Sequence, residues 1–246
     1  MTLDTLTALT LGVASSLAVV ALFPYLLTVA PKMRERRRHP LWLRITVQAL
    51  RAFVVLAILA WCGLRLAPPF ALGAPLIRSY LAGPALLIPF ASLLFALTSG
   101  AVVALLIVVL DRYIRLRTFP PIAVRRMPGV ALWKGLCAAF YGAIVEEILS
   151  RLFLMTLLVW LFSKLPGINT ATVFSVACLL SALAFAAGHL PLAAQAAPLT
   201  RPVVTRVLLL NTLAGLVFGA FFWKYGIEHA MAAHFATDVI LQVAVA

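Results

Sequence analysis

Acidic side chains are scarce in this 246-residue chain: seven Asp and Glu stand against twenty Lys and Arg, and only 11% of residues are charged. A soluble globular domain carries about a quarter charged residues, so this composition excludes one. The seven acids are Asp4, Glu35, Asp111, Glu146, Glu147, Glu228 and Asp238. Cysteine is nearly as sparse. Cys62, Cys137 and Cys178 fall singly in apolar stretches without C-x-x-C spacing, which argues against a thiolate metal site or a disulfide framework and predicts buried small hydrophobes. Internal repeats are also lacking. The halves before and after about residue 125 share no motif, which argues against an inverted-repeat architecture. Up to Ala30 there is no basic leader and no clean small-residue cleavage site, so the first apolar run reads as a membrane span.

What the chain does have is apolar surface, with 64% hydrophobic residues and a mean hydropathy of +1.10. Surplus of this size calls for lipid to cover it. A spanning helix takes about 20 mostly apolar residues, and about seven runs qualify: 7–29, 45–64, 83–109, 131–162, 171–188, 205–224 and 228–245. The predicted fold is all-α, a polytopic transmembrane helical bundle with a cavity between helices. The fourth run would be roughly 48 Å long as a straight helix, against a hydrocarbon core of about 30 Å. It is expected to tilt, kink or begin at the interface.

The net charge of +13 raises nucleic acid as a partner, but the basic residues sit in short loops between apolar runs. Fourteen of them fall on one side, including Lys32, Arg34, Arg36, Arg37, Arg38, Arg112, Arg115, Arg125, Arg126 and Arg201, and four fall on the other: Arg65, Arg78, Lys164 and Lys224. The positive-inside rule then puts the N-terminus outside, the C-terminus in the cytoplasm, and nucleic acid out of consideration. The run from Lys32 to Arg38 reads as a topology determinant that also suits anionic lipid headgroups.

Glu146, Glu147, Arg151 and Asp238 lie within predicted spans, where each unpaired charge costs roughly 2.5–3.5 kcal/mol. Glu147 and Arg151, four residues apart, share a helical face and can pair. Glu146 is rotated about 100° from Glu147 and is free to face a cavity as a general base. His189 ends the fifth run. His234 and Asp238 share a face of the seventh, so the acid can orient the imidazole or join it in holding a metal or water. Three helices bearing such residues within apolar runs suggest one buried polar site. Glu228, His229 and His39 read as interfacial or solvent-facing. Gly215 and Gly219 read as a close helix contact, with Asn211 a candidate donor towards the site.

Glu146-Glu147-Ile148-Leu149-Ser150-Arg151 has the form E-E-x-x-x-R, Phe185 to His189 the form F-x-x-x-H, and His234 to Asp238 the form H-x-x-x-[ND], in that order. This series resembles the CAAX prenyl protease and bacteriocin-processing family of intramembrane proteases, also called the Abi family. The resemblance covers residues 125–246, the protease core, whereas 1–124 form an N-terminal transmembrane region without family signature. It implies a helical membrane protease with a conical cavity open to the cytosol, in which Glu146 activates the attacking water. Glu147, Arg151, His189, His234 and Asp238 occupy the other motif positions. Leu152 follows the arginine where the family often has glycine, and Asp238 stands where asparagine is common, which changes the charge of the site and could favour a cation.

The resulting expectation is an endopeptidase that hydrolyses a peptide bond near the cytoplasmic side of a bacterial cytoplasmic membrane, on a peptide or protein substrate that can be lipidated. His189 and His234 either hold a divalent metal such as zinc or stabilise the oxyanion directly, and the metal-free mechanism stays open. Two other readings compete. One is a catalytically silent membrane scaffold of the same fold that binds a partner; the other is a proton-coupled transporter using Glu146, His189, His234 and Asp238 as a relay.

Overall fold

The computed structural model describes residues 1–29, 39–83, 88–117, 131–196 and 198–245. The basic run Lys32 to Arg38, Glu35, Arg125 and Arg126 lie outside the described residues. The described residues are helical throughout their ordered elements and contain no strand. In chain order the helices are α1 (Leu3–Val29), α2 (Leu41–Leu66), the short α3 (Pro75–Ala82), α4 (Phe90–Arg117), α5 (Leu132–Tyr141), α6 (Thr156–Phe162), α7 (Thr170–Gly188), α8 (Leu190–Ala196), α9 (Arg201–Tyr225) and α10 (Ile227–Val245).

Among the described residues five helices are long and apolar enough to cross a membrane: Leu3–Val29, Leu41–Leu66, Phe90–Arg115, Thr170–Gln195 and Arg201–Tyr225. The other two runs expected as spans carry the polar residues of interest other than His189. In the fourth, α5 and α6 are separated by two π-helical segments, Gly142–Glu146 and Ile148–Met155. The expectation is a tilt, kink or interfacial start; what the structure has in this run is a change of helical pitch. In the seventh, Glu228, His229, His234, Asp238 and Gln242 dilute the hydropathy of the 19-residue α10.

Burial is inverted relative to a soluble protein. Val54, Val55, Ile58, Trp61, Leu94, Val102 and Leu105 are exposed, whereas Glu147, Arg151, His234 and Thr237 are buried. Lipid satisfies the first group, and the second must find partners inside the bundle. With its apolar helices, the chain is an integral membrane protein.

Close approach relies on small residues. A Cβ on Gly12 of α1 would lie 2.9 Å from Ala57 of α2, and one on Gly219 of α9 would lie 2.5 Å from Cys178 Sγ of α7. The Gly215 and Gly219 contact expected from the sequence is present: Gly215 faces Ala182 of α7. Cys178 is buried as expected, but Cys62 and Cys137 are only half-buried.

At one end of the bundle α3 is tied to two helices, α1 and α10. Arg78 binds Asp4 in the first turn of α1, and Arg65 of α2 lies 3.8 Å from the same carboxylate. Glu228 accepts from the Ile77 backbone N–H at 2.8 Å, close to the start of α3, where orphan N–H groups favour an anion. The interfacial expectation for His229 is therefore corrected. Its ring is buried, with Nε2 2.9 Å from Ser92 Oγ of α4, because α4 packs along the whole face on which it sits. His39 is exposed as expected. At the other end, Asp111 of α4 binds Arg206 of α9 and lies 2.9 Å from Arg115.

Candidate active site

The π-helical stretch positions the first set of side chains. Glu146 closes one π segment and Ile148 opens the next, so the two glutamates leave the helix about a quarter-turn apart. Their environments differ completely. The Glu147 side chain is fully buried, whereas that of Glu146 is 31% exposed.

Glu147 uses its two oxygens on two partners. Oε1 lies 2.9 Å from His234 Nδ1, and Oε2 lies 3.5 Å from Arg151 Nε. The spacing of Glu147 and Arg151 predicted the second contact but not the first. Arg151 is fully buried and donates from Nη2 to the Gly215 carbonyl at 3.0 Å. A Cβ at Gly215 would lie 3.2 Å from that same nitrogen, so the glycine makes room for the guanidinium. Phe185 and Phe218 cover it, with ring centroids 4.9 and 5.9 Å from the guanidinium carbon.

His234, on α10, is held on several sides. Besides the Glu147 contact at Nδ1, its ring stacks on Phe218 at 4.5 Å with planes 15° apart, and Phe185 meets it edge-on at 5.6 Å. His189, the residue that ends α7, has Nδ1 2.9 Å from the Phe185 carbonyl one turn earlier. Each imidazole therefore has Nδ1 engaged by an oxygen, and each presents Nε2 to Glu146. Glu146 Oε2 lies 3.8 Å from His189 Nε2 and 3.9 Å from His234 Nε2, while Asp238 Oδ2 lies 3.5 Å from His234 Nε2. The side chains of Glu146, His189 and Asp238 are about one-third exposed and that of His234 is 4% exposed, so one flank of the cluster is accessible.

All six sequence-predicted residues thus fall in one cluster: Glu146, His189, His234 and Asp238 around the open flank, Glu147 and Arg151 behind it. Asn211 does not join it. Its side chain donates at 2.8 Å to the Val207 carbonyl of its own helix, the local back-bond available to a short amide. Sequence reasoning missed two contributors. Phe218 lies three residues after Gly215 and hence near the same face of α9. Gly142 lies one turn before Glu146, and a Cβ there would stand 2.9 Å from Asp238 Oδ2 and 3.3 Å from His234 Nε2. Helical spacing from Gly215 and Glu146 was the available signal.

The donor types, though not their spacing, are those that a divalent cation takes. Two imidazole Nε2 atoms and carboxylate oxygens converge, with each Nδ1 anchored as metal-ligating histidines usually are. The separations of 3.8 and 3.9 Å exceed the roughly 3.3 Å expected between ligands of one tetrahedral zinc. Among the described residues no three such groups stand at metal-holding spacing as placed. Binding would require the side chains to close by about half an ångström.

No curated protein and no solved structure matches the chain. A family model does match, over residues 128–240, the stretch that holds Glu146, Glu147, Arg151, His189, His234 and Asp238: this part of the chain is similar to the family described as Type II CAAX prenyl endopeptidase Rce1-like.

Proposed function

We propose that the protein is an intramembrane endopeptidase of the CAAX prenyl protease type, in which Glu146 activates a water for attack on a peptide carbonyl. The observation that carries this reading is the pairing of the exposed Glu146 carboxylate with two anchored imidazoles at 3.8 and 3.9 Å, next to a second carboxylate that is buried and committed to Arg151.

In this mechanism water gives a proton to Glu146 as its oxygen bonds to the carbonyl carbon. The carbonyl becomes an oxyanion beside His189 and His234. Collapse breaks the C–N bond, and the proton held by Glu146 passes to the leaving amine. Glu147 fixes the His234 ring through Nδ1, and Asp238 flanks Nε2. Arg151 neutralises Glu147, leaving Glu146 as the reactive carboxylate.

The protonation of the imidazoles separates two versions. With Nδ1–H donated to an oxygen, a neutral ring offers an Nε2 lone pair, which would hold a divalent metal at His189 and His234; a protonated ring donates from Nε2 to the oxyanion. A bound metal would supply Lewis-acid polarisation of the carbonyl. Metal analysis combined with chelation decides: cleavage lost with a stoichiometric ion supports the metal version, and full activity of metal-free enzyme refutes it.

The substrate proposed is a peptide presented at the cytoplasmic face, lipidated or membrane-inserted, which the apolar helices around the site would accommodate. The N-terminus outside and the C-terminus in the cytoplasm complete this reading, as does residence in a bacterial cytoplasmic membrane. The test is cleavage of a panel of prenylated and leader peptides in liposomes, comparing wild type with Glu146→Ala and His234→Ala. Cleavage by wild type alone is expected, and equal cleavage by all three removes the assignment.

A further inference from the structure

The helix that carries His234 and Asp238 is gripped from outside the matched stretch. Three contacts join α4 to α10. Ser92 Oγ meets His229 Nε2 at 2.9 Å, and Thr237 Oγ lies 2.9 Å from both the Gly100 carbonyl and the Ala233 carbonyl of its own helix. The third is a backbone approach: a Cβ on Gly100 would fall 2.1 Å from Ala233 O, so any other residue there would displace one helix from the other. Ala233 and Thr237, four apart, share one face of α10, whereas His234 and Asp238, each one residue later, share the face about 100° away. The grip therefore controls rotation of α10 about its axis, and with it the aim of both site residues. A rotation of about 10° moves side-chain atoms roughly 6 Å from the axis by about 1 Å, a displacement able to cost about a hundredfold in rate. A comparable approach braces the other catalytic segment. On α2, a Cβ at Gly63 would fall 2.1 Å from the carbonyl of Leu152, the residue after Arg151.

We infer that α4 is a rotational brace for α10, and that Thr237 and Gly100 are positioning residues that aim His234 and Asp238 at Glu146. This rests on the protease reading for its kinetic consequence but not for its geometry. The test has two arms, on full-length protein in detergent. In the first, diethyl pyrocarbonate modifies the histidines and peptide mass spectrometry reads His234, with His229 as control because its Ser92 contact is untouched. Thr237→Val is expected to raise the His234 modification rate about fivefold or more with His229 unchanged, and Thr237→Ser, which keeps the hydroxyl, to stay at the wild-type rate. An unchanged His234 rate in Thr237→Val overturns the brace, as does an equal rise at His229, which would indicate general loosening. In the second arm, Thr237→Val is expected to lower kcat about tenfold or more with KM within about twofold, again rescued by Thr237→Ser, and Gly100→Ala is expected to share the phenotype. A kcat within twofold of wild type in Thr237→Val overturns the proposal. Absence of cleavage by wild type sinks the protease reading alone, and the labelling arm then decides the brace.

Discussion

Replacing either of the adjacent carboxylates by its amide should produce opposite phenotypes. Glu147→Gln keeps an oxygen acceptor for His234 Nδ1 but removes the charge 3.5 Å from Arg151 Nε. At that distance and an effective dielectric near 20, the attraction removed is about 4–5 kcal/mol. Arg151 is fully buried, with Nη1 lacking a hydrogen bond, so water does not replace the lost partner. Removing one member of a buried pair generally costs about 3–5 kcal/mol, in agreement. With about 2–4 °C per kcal/mol for a chain of this size, the melting temperature should fall on the order of 10 °C. Glu146→Gln removes a side chain that is one-third exposed and meets its imidazole neighbours only at 3.8 and 3.9 Å. Stability should hold within about 1 kcal/mol of wild type, while cleavage falls by about 10²–10⁴, the share typical of a general base. Tryptophan-fluorescence melting in detergent and peptide cleavage in liposomes read the two effects on the same preparations. A Glu147→Gln melt within 2–3 °C of wild type, about one kcal/mol, or a Glu146→Gln variant that cleaves normally, would refute the division of labour between the two acids.

Three further outcomes are expected. Gly142→Ala should lower cleavage about tenfold or more with little loss of stability, because the new methyl meets Asp238 Oδ2 at 2.9 Å and His234 Nε2 at 3.3 Å on the accessible flank. Kinetics together with melting check it, and an active Gly142→Ala variant contradicts it. Phe218→Leu should lower kcat by removing the ring stacked 4.5 Å from His234, and Phe218→Tyr should restore most of it because a ring face returns; the kcat values of the two variants are compared. Gly219→Ala should destabilise the α7–α9 contact by about 1–3 kcal/mol through overpacking, since its Cβ falls 2.5 Å from Cys178 Sγ. Adding Cys178→Ala should recover most of that loss in a thermal melt, and failure to recover rules out this contact as the cause.

Much of the architecture was legible along the chain. Apolar runs of spanning length gave the positions of α1, α2, α4, α7 and α9, because hydropathy is a local property summed over one helix. The fourth and seventh runs were harder: π-helical segments divide the fourth, polar residues lower the sum in the seventh, and only partners on other helices explain the charges within them. The Glu147 and Arg151 pair was legible because both residues lie on one helix. The contact of Glu147 with His234 was not, since the residues are 87 positions apart. His229 and Asn211 were misread for a related reason. An isolated polar residue in an apolar run is equally compatible with an interface, a local back-bond or a buried partner, and only packing selects among them.

Composition and helical periodicity alone establish an all-α membrane protein with a few charges inside it, because the transfer cost of a charge into lipid is paid residue by residue. They also separate the faces of Glu146 and Glu147, since one residue of helix is about 100° of rotation. Whether four segments of the second half meet at one point, which carboxylate remains accessible, and how Phe218, Gly142 and the α4 brace shape the site depend on distances between helices. Those distances follow from side-chain volumes fitted together in three dimensions, which no periodicity within one helix encodes.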